Sequence, residues 1–445
     1  MTEPNIGAED LEIARLDFSI DRVGEPTLPS PLRDVPFVDD GGRVCYFHDT
    51  GRILALREAG LPIPGFVQAG PREKIYFDPK WTRAAIVTCG GLCPGLNDVI
   101  KGVVNTLWYT YGIDKIFGIR YGYRGLEPRY GLEPVVLDPD VVDTIHEDGG
   151  TILGSSRGNQ DVESMVNTLD RLGIHVLFAI GGDGTQRGAG EIARKVKERG
   201  LRLVVVGIPK TIDNDLNFTE RTFGFETAVG ASSPVIGCAH QEAKGAWNGV
   251  GLVKLMGRDS GFIAASATLV NSVVNFCLVP EVPFPLEGER GFLPALARRL
   301  ERKHHAVVVV AEGAGQDLLT AGTRGKDASG NLLHEDIGVF LRDEIGRYLK
   351  ARGVEHSTKY FDPSYLIRSV PAQGTDPIFC LHLAQNAVHA ALAGFSNLVV
   401  GYWHGEFTYI PIPLAIRSRR KIRPEEQLWQ SVLTATRQEN WLADL

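Results

Sequence analysis

Several signatures of common protein classes are absent from this sequence of 445 residues. None of its six cysteines forms a Cys-x-x-Cys pair, which argues against a disulfide framework and a structural zinc site and favours cytosolic thiols. No Gly-x-x-x-x-Gly-Lys-Ser/Thr run occurs, so a P-loop nucleotide site is not expected. The formal net charge of −7 argues against a general nucleic-acid-binding protein.

Long apolar runs are also scarce. The most apolar long stretch, residues 262–279, is interrupted by Ser266, Asn271 and Asn275, so we interpret it as a buried helix followed by a strand. The first residues are acidic and lack the apolar core of a secretory signal. With an apolar content of 43%, the chain is long enough for two globular domains. These features predict a cytoplasmic protein with neither a membrane nor a nucleic acid as a partner.

A glycine-rich turn lies at the centre of the chain, between an apolar run at 176–180 and a charged segment that we expect to be helical up to Arg199. The turn reads Gly-Gly-Asp-Gly-Thr at 181–185. Glycines at a strand-to-helix turn let backbone N–H groups approach a ligand, and the positive end of the following helix favours an anion. The turn is therefore typical of a phosphate cradle, in which Asp183 supplies the oxygen ligand that Mg²⁺ prefers.

A second loop, Pro-Lys-Thr-Ile-Asp-Asn-Asp at 209–215, follows a strand predicted at 203–206. If this loop is extended, the alternation of side chains puts Asp213 and Asp215 on one side. Both loops belong to one strand–helix–strand unit and should face the same crevice. Two carboxylates and Lys210 beside a phosphate cradle favour phosphoryl transfer, in which positioning and charge neutralisation provide most of the catalysis.

The glycine turn by itself leaves other interpretations open. Many strand-to-helix turns are rich in glycine for packing alone, and several kinase families, NAD and lipid kinases among them, use this turn. Gly182, Gly184 and Gly188 nearly reproduce the dinucleotide fingerprint, but the last interval is one residue too long. A silent sensor of a sugar phosphate or a nucleotide is a further alternative. Asp183 and Asp213 argue against it, because a binding module does not need a base beside a metal-binding carboxylate.

Three more segments are rich in glycine, and those at 89–97 and 120–126 follow predicted strands. The turn at 89–97 precedes a helix that Asn97 is expected to cap. The segment at 149–158 carries Arg157, which suits either phosphate oxygens or a solvated surface. The segment at 120–126 suits either a nucleotide pocket or loop packing.

Further charged residues follow strands later in the chain. Arg258 comes at a predicted strand end, where open α/β sheets bind ligands, and Glu312 repeats this arrangement. Residues 365–368 are predicted to end a strand. The basic cluster at 417–423 is interpreted as a solvated face or a subunit contact rather than as a ligand site.

Strands and helices alternate through most of the chain. This order predicts the α/β class, with two doubly wound, Rossmann-like domains and mostly parallel sheets. Residues 1–82 contain several prolines and little periodicity, and we interpret them as an N-terminal extension.

Five segments, in this order, resemble the phosphofructokinases over residues 84–415. They read CGGLCPGLN at 89–97, GGTILGSSRG at 149–158, GGDGT at 181–185, PKTIDND at 209–215 and MGRDSG at 256–261. The resemblance implies a donor-binding domain made of residues 83–225 and 375–424, and a fructose 6-phosphate domain made of residues 226–374 and 425–445. It also implies a homotetramer or a homodimer.

The resemblance also implies residue roles, position by position. Asp213 would be the general base that takes the proton from the sugar 1-hydroxyl, and Arg258 would stabilise the transition state. The implied catalytic residues are Asp213, Thr211, Arg258 and Gly91. The implied donor-binding residues are Gly91, Arg157, Gly182, Asp183, Gly184, Thr185, Gly188 and Lys210, with Asp183 as the magnesium ligand. The implied substrate-binding residues are Thr211, Asp213, Asp215, Met256, Gly257, Arg258, Glu312, Tyr365 and Arg368.

The phosphate donor depends on two positions. Members of the family that use pyrophosphate typically have aspartate where this chain has Gly184, and lysine where it has Lys210. Many bacterial members that use ATP have glycine at both positions. The combination found here resembles the longer ATP-dependent members, which also carry N-terminal extensions. The resemblance therefore implies transfer of the γ-phosphate of ATP to O1 of fructose 6-phosphate in glycolysis, with Mg²⁺ as the cofactor and pyrophosphate as the alternative donor.

Overall fold

The computed structural model describes residues 6–319 and 334–441, which form two compact units. The first unit contains the described parts of Met1–Thr211, Leu216–Phe223 and Thr375–Ser418. The second unit contains the described parts of Ile212–Asp215, Gly224–Gly374 and Arg419–Leu445. The domain boundaries derived from the sequence remain predictions. The compact units differ from them in that Ile212–Asp215, residues 224–225 and residues 419–424 belong to the second unit, and the described part of residues 1–82 belongs to the first.

Short and long strands occur along the whole described chain. They are β1 Asp21–Arg22, β2 Leu28–Pro29, β3 Arg43–Cys45, β4 Gly65–Gln68, β5 Lys74–Ile75, β6 Ala84–Thr88, β7 Ile116–Ile119, β8 Val135–Leu137, β9 Val176–Gly181, β10 Val204–Pro209, β11 Gly249–Leu255, β12 Phe276–Leu278, β13 His305–Ala311, β14 Ser357–Phe361, β15 Phe395–Ser396, β16 Leu398–Trp403 and β17 Glu406–Pro411.

Helices alternate with these strands. They are α1 Ala8–Ala14, α2 Thr50–Glu58, α3 Leu96–Asn105, α4 Val162–Arg171, α5 Asp183–Glu198, α6 Phe225–Gly245, α7 Phe262–Val270, α8 Phe292–Lys303, α9 Ile337–Ala351, α10 Ser364–Ile367, α11 Asp376–Leu392, α12 Ile412–Ala415 and α13 Gln427–Thr436. A π-helical turn, Thr106–Thr110, continues α3, and 3-10 turns lie at Gly122–Leu126, Pro128–Tyr130 and Ile145–Glu147.

The main sheet of the first unit has nine strands in the order β3-β4-β17-β16-β10-β9-β6-β7-β8. Its five central strands, from β16 to β7, run parallel. Strands β6, β9 and β10 are buried along their whole length, as parallel strands covered on both faces should be. Helix α3 packs against α11, and α4 packs against α5. This architecture confirms the predicted α/β class.

The N-terminal residues add two strands to this sheet. β3 pairs with β4, and β4 pairs antiparallel with β17. Phe66 of β4 is fully buried and meets the rings of Phe18 and Phe218 edge to face. The predicted N-terminal extension therefore forms one edge of the sheet, because its few apolar side chains join the core of the first unit.

The second unit is organised around a parallel sheet in the order β12-β13-β11-β14. Alternate residues of its central strands enter two different cores. Val307 and Val309 pack in a cluster with residues of α6, α7 and α13, whereas Val308 and Val310 pack in a cluster with residues of α8 and α9. Helices thus cover both faces, which explains why the run at 307–310 is apolar without interruption.

Two local predictions outside the central unit were wrong. Asn97 does not cap α3, because the N-cap residue is Gly95 with a φ of 98°. The side chain of Asn97 is buried and donates instead to the backbone oxygens of Ile145 and Asp148, at 2.8 and 3.1 Å. Residues 365–368 do not end a strand, because Ser364–Ile367 forms the short helix α10.

The loop at 209–215 is not extended, so the condition for the predicted alternation of Asp213 and Asp215 is not met. β10 continues as far as Pro209, and the chain then turns. Asn214 has a φ of 53°, in the left-handed region. The alternation argument for Asp213 and Asp215 therefore does not apply, and their proximity has to be judged from their contacts. Among the described residues, no helix is long and apolar enough to cross a membrane.

Candidate active site

The candidate donor site is built on two neighbouring strands of the first unit. β9 and β10 pair in parallel with Gly181 opposite Pro209, and the backbone N–H of Lys210 donates to the oxygen of Gly181 at 3.1 Å. The glycine turn and the loop after β10 therefore begin side by side, as predicted. Gly181 has to be glycine, because a Cβ atom there would collide with the side chain of Thr185.

Lys210 connects this loop to the first glycine turn. It is buried, and its Nζ donates to the backbone oxygen of Gly91 at 2.8 Å. A Cβ atom on Gly90, whose φ is 91°, would lie 3.1 Å from that Nζ. A Cβ atom on Gly91 would lie 3.1 Å from Nη2 of Arg157. The structure thus brings a lysine and an arginine to one glycine turn, a combination suited to a polyphosphate.

Asp183 is the first residue of α5 and is half-buried. Its position at a helix N-terminus, after Gly182, suits a bound phosphate. Among the described residues, no group of three or more His, Cys, Asp or Glu side chains is arranged to hold a metal ion. A single carboxylate is nevertheless the donor set that fits Mg²⁺ bound mainly through substrate phosphates and water. Asp183 therefore fits as the protein ligand for Mg²⁺.

Gly184, Thr185 and Gly188 differ in what surrounds them. Gly184 is exposed, and a Cβ atom there would meet nothing within 4 Å, so this position is open to a ligand. Thr185 is buried, and its backbone oxygen accepts a hydrogen bond from the hydroxyl of Tyr123 at 2.8 Å. A Cβ atom on Gly188 would lie 2.7 Å from the ring of Tyr123. Packing of Tyr123 therefore accounts for the glycine at 188.

Asp213 is an acid of the second unit whose surroundings change its pKa strongly. The residue is half-buried, and Oδ1 of its carboxylate is inaccessible to solvent. Burial raises its pKa well above that of a free aspartate, and Asp215 and Glu312 raise it further. A backbone hydrogen bond from Arg258 and the charge of Arg419 oppose this rise. The structure therefore brings Asp213, Asp215, Arg258 and Glu312 together.

Two glycines let the loops that follow β11 and β13 approach each other. Gly257 has a φ of 126°. A Cβ atom on Gly313 would overlap the backbone oxygen of Arg258, and the N–H of Gly313 donates to the oxygen of Gly257 at 3.2 Å. Glu312 lies in the loop after β13, and its pKa is raised above that of a free glutamate because it is buried. The charges of Lys254 and Arg258 oppose this rise. Gly313 is not among the site residues predicted from the sequence, and its contact with the loop after β11 explains why glycine is needed there.

Lys254 is a second residue that the sequence analysis did not single out. It lies on β11, and its Nζ contacts the carboxylates of Asp336 and Asp362 at 2.8 and 2.9 Å. Asp336 caps α9, and Asp362 accepts hydrogen bonds from Ser364 at the start of α10. Burial alone would lower the pKa of Lys254, but its hydrogen bonds to Asp336 and Asp362 outweigh burial and raise it.

The ion pairs of Lys254 with Asp336 and Asp362, here called the Lys254 network, lie next to the short helix α10, near the predicted sugar-phosphate residues Tyr365 and Arg368. Tyr365 lies on α10 and is exposed, and the guanidinium of Arg368 stacks over its ring at 4.4 Å. Asp362 connects the start of this short helix to Lys254 on β11. The network thus joins the strand before Met256 to the helix that carries Tyr365.

Replacing Lys254 with methionine is expected to destabilise the second unit by about 1 kcal/mol, because two carboxylates lose their shared cation while their side chains, 39% and 31% exposed, stay in contact with water. Urea unfolding of the full chain would measure this change. Lys350→Met is the matched control, since Lys350 is exposed in the last turn of α9 and should shift stability by less than about 0.5 kcal/mol. Equal unfolding midpoints for both variants would contradict a supporting role for Lys254.

The predicted site residues fall into the two units as follows. Gly91, Arg157, Gly182, Asp183, Gly184, Thr185, Gly188, Lys210 and Thr211 lie in the first unit, and Asp213, Asp215, Met256, Gly257, Arg258, Glu312, Tyr365 and Arg368 lie in the second. Thr211 is half-buried, and its backbone oxygen accepts a hydrogen bond from the hydroxyl of Thr222 at 2.6 Å.

Solved structures of similar fold provide the first comparison. A pyrophosphate-dependent phosphofructokinase from Marinobacter aquaeolei matches with a TM-score of 0.66 and 21% identity, over 80% of this chain and 91% of that chain. A phosphofructokinase from Saccharomyces cerevisiae matches with a TM-score of 0.60 and 23% identity, over 76% of this chain and 45% of that chain. These likenesses establish a shared fold.

Sequence comparison is more specific. The family model described as Phosphofructokinase matches residues 83–391. A Borreliella burgdorferi protein named ATP-dependent 6-phosphofructokinase is 47% identical over 436 residues, which cover 95% of this chain and 97% of that protein. An Entamoeba histolytica protein of the same name is 49% identical over 400 residues, which cover 89% of each. This chain therefore belongs to the phosphofructokinase family.

Proposed function

We propose that this chain is an ATP-dependent 6-phosphofructokinase, which transfers the γ-phosphate of ATP to O1 of fructose 6-phosphate and so acts in glycolysis. The observation that carries the proposal is the buried carboxylate of Asp213 beside Asp215 and Glu312, with its raised pKa. A carboxyl group whose pKa is raised toward the working pH is suited to take the proton of a sugar hydroxyl. The relatives described above, matched over most of this chain, carry the same activity in their names.

On this proposal, the acceptor residues belong to the second unit. Asp213 accepts the proton from the 1-hydroxyl of fructose 6-phosphate, so that the oxygen can attack the γ-phosphorus. Arg258 follows β11 and offers a cation to the charge that develops during transfer. Glu312, Tyr365 and Arg368 bind the sugar phosphate, together with Met256 and Gly257.

The donor residues belong to the first unit. Arg157 and Lys210 neutralise phosphate oxygens at the turn that contains Gly91. Backbone N–H groups at the start of α5 bind the donor, and Asp183 would hold Mg²⁺ there. Bound Mg²⁺ supplies additional neutralisation of the phosphate charge. Thr211 orients the phosphate that is transferred.

ATP is the proposed donor because Gly184 leaves space where aspartate would repel a nucleotide phosphate. Pyrophosphate is the second candidate, and Lys210 is the residue that favours it. Measuring fructose 1,6-bisphosphate formation by the purified full chain, with Mg²⁺ and either donor, separates the two. We expect product with ATP and none above background with pyrophosphate. The reverse result would assign pyrophosphate as the donor.

A calorimetric binding measurement, added to this turnover assay, tests the alternative of a silent sensor. Binding of fructose 6-phosphate by calorimetry, without turnover from either donor, would contradict the proposed enzyme.

We further propose that the chain acts in the cytoplasm as a homodimer or homotetramer, as the family resemblance implies. Light scattering of the purified chain distinguishes these two states from each other and from a monomer.

A further inference from the structure

The basic cluster at 417–423 is the one charged motif of the sequence that the proposed function leaves without a role. The structure separates its members. Arg417 is exposed in the first unit and pairs with the exposed Glu12 at 2.7 Å. The side chain of Arg419, in the second unit, is only 26% exposed. It lies 3.5 Å from Oδ2 of Asp215 and forms a shorter ion pair with Asp259.

Arg419 therefore contacts the acidic side of the candidate acceptor site. Asp213 and Asp215 belong to one loop, Asp259 follows β11, and Glu312 follows β13. The charges of Asp215 and Glu312 raise the pKa of Asp213, and the charge of Asp259 raises the pKa of Glu312. Because like charges in a buried site raise one another's pKa, so acidic a site needs cations if its base is to stay ionised near neutral pH.

Two arginines supply positive charge among these acids. Arg258 comes from the loop after β11, where its backbone N–H also donates to Asp213. Arg419 comes from the C-terminal part of the chain, beyond the residues 83–391 that match the family model. The charge of Arg419 lowers the pKa of Asp213, against the larger raising effects of burial, Asp215 and Glu312.

We propose that Arg419 is a positioning residue that keeps the Asp213–Asp215 pair ionised, and so determines the pH at which Asp213 begins to act as the base. The inference rests on the proposed function of Asp213. Arg419 acts through Asp215 and Asp259 rather than through the substrate, since these carboxylates are its observed partners.

The backbone around Arg419 is held independently of its side chain. The N–H of Arg420 donates to the backbone oxygen of Asp215 at 2.8 Å, and the guanidinium of Arg420 stacks over the ring of Phe262 at 4.8 Å. The N–H of Ile422 donates to Oε1 of Glu281 at 2.9 Å. Truncation of the Arg419 side chain should therefore leave the path of the chain intact.

The first test is the pH profile of kcat/KM for fructose 6-phosphate in three variants. With Arg419→Met, loss of the cation raises the pKa of Asp213, so the acidic limb of the profile should move up by about one pH unit. Activity then falls about tenfold at a pH on the limb and recovers at higher pH. Arg419→Lys retains the charge without the fork geometry and should move the limb less. Arg417→Met is the matched control and should leave the limb in place.

The proposal is overturned if the Arg419→Met profile is lower at every pH but its limb is unmoved, because that pattern describes a merely structural residue. It is equally overturned if Arg417→Met shifts the limb as far as Arg419→Met. Wild-type turnover with ATP is measured first, so that failure of the proposed enzyme activity is distinguished from failure of the role of Arg419.

A second test needs neither substrate nor activity. A buried acid whose folded-state pKa is raised binds more protons in the folded state, so its ionisation costs stability as pH rises above the pKa of the unfolded chain. Arg419→Met increases this cost. The difference in urea midpoint between wild type and Arg419→Met should therefore widen from pH 5 to pH 8, whereas that for Arg417→Met should stay constant. A constant difference for Arg419→Met would overturn the proposal even in an inactive protein.

Discussion

Replacing Asp213 with serine is expected to lower kcat by about 10²–10⁴-fold, because the sugar hydroxyl loses the general base that takes its proton. Fructose 6-phosphate binding should be largely kept, since the other residues proposed to bind the sugar remain. Steady-state kinetics with ATP, together with calorimetric binding of fructose 6-phosphate, would measure both effects. Unchanged turnover in this variant would exclude Asp213 as the base.

Stability separates a catalytic loss from a folding defect in the same variant. The pKa of Asp213 is raised in the folded state. Between the unfolded-state and the folded-state pKa, the folded chain therefore binds more protons than the unfolded chain, and the free energy of unfolding declines as pH rises through this interval. Removing the carboxylate should therefore leave the unfolding midpoint at neutral pH equal to or above that of the wild type. Asp114→Ser, at an exposed aspartate, is the control and should change neither kcat nor the midpoint. A midpoint for Asp213→Ser well below the wild-type value would point to a structural role instead.

Gly184→Asp should lower kcat/KM for ATP by about 100-fold or more, because a carboxylate placed against a nucleotide phosphate costs several kcal/mol. The new side chain enters open space, since a Cβ atom at this position meets nothing within 4 Å. The substitution therefore tests repulsion of the bound nucleotide rather than a change in the packing of α5. Kinetic measurements with ATP at saturating fructose 6-phosphate would determine the loss.

Gly184→Ala is the matched control for this substitution. It adds the Cβ atom without a charge and should retain most of the activity with ATP. Pyrophosphate lacks the nucleotide phosphate that the aspartate would repel, so any activity with pyrophosphate should be less affected. Equal activity of Gly184→Asp and Gly184→Ala with ATP would show that position 184 does not border the nucleotide.

The central strand–helix–strand unit was predictable because its signals are local. The apolar run at 176–180 became β9, the glycine turn became the start of α5, and the helix ended within one residue of Arg199. Parallel pairing of β9 with β10 then brought Lys210 beside the glycine turn, as expected for consecutive strands of one unit.

Other parts of the candidate site depend on contacts that no local pattern contains. Asp213 was expected to lie beside Asp215 through strand alternation, but Asn214 takes a left-handed conformation and the loop turns. Lys254 lies in an otherwise apolar strand, and no local pattern in the sequence marks it as a member of an ion-pair network. Its importance appears only when Asp336 and Asp362, from two later elements, are found within 3 Å of it.

The sequence alone determined the α/β class, the glycine turn at 181–185 and the position of the loop at 209–215 after a strand, because hydrophobic periodicity and glycine conformational freedom act over a few residues. Only the tertiary structure determined which charged side chains contact each other. Arg419 was interpreted as a surface residue, yet it pairs with Asp215, more than 200 positions earlier in the chain. Such a pairing, and the pKa of the buried acids beside it, follows from how distant segments pack and from the water that this packing excludes.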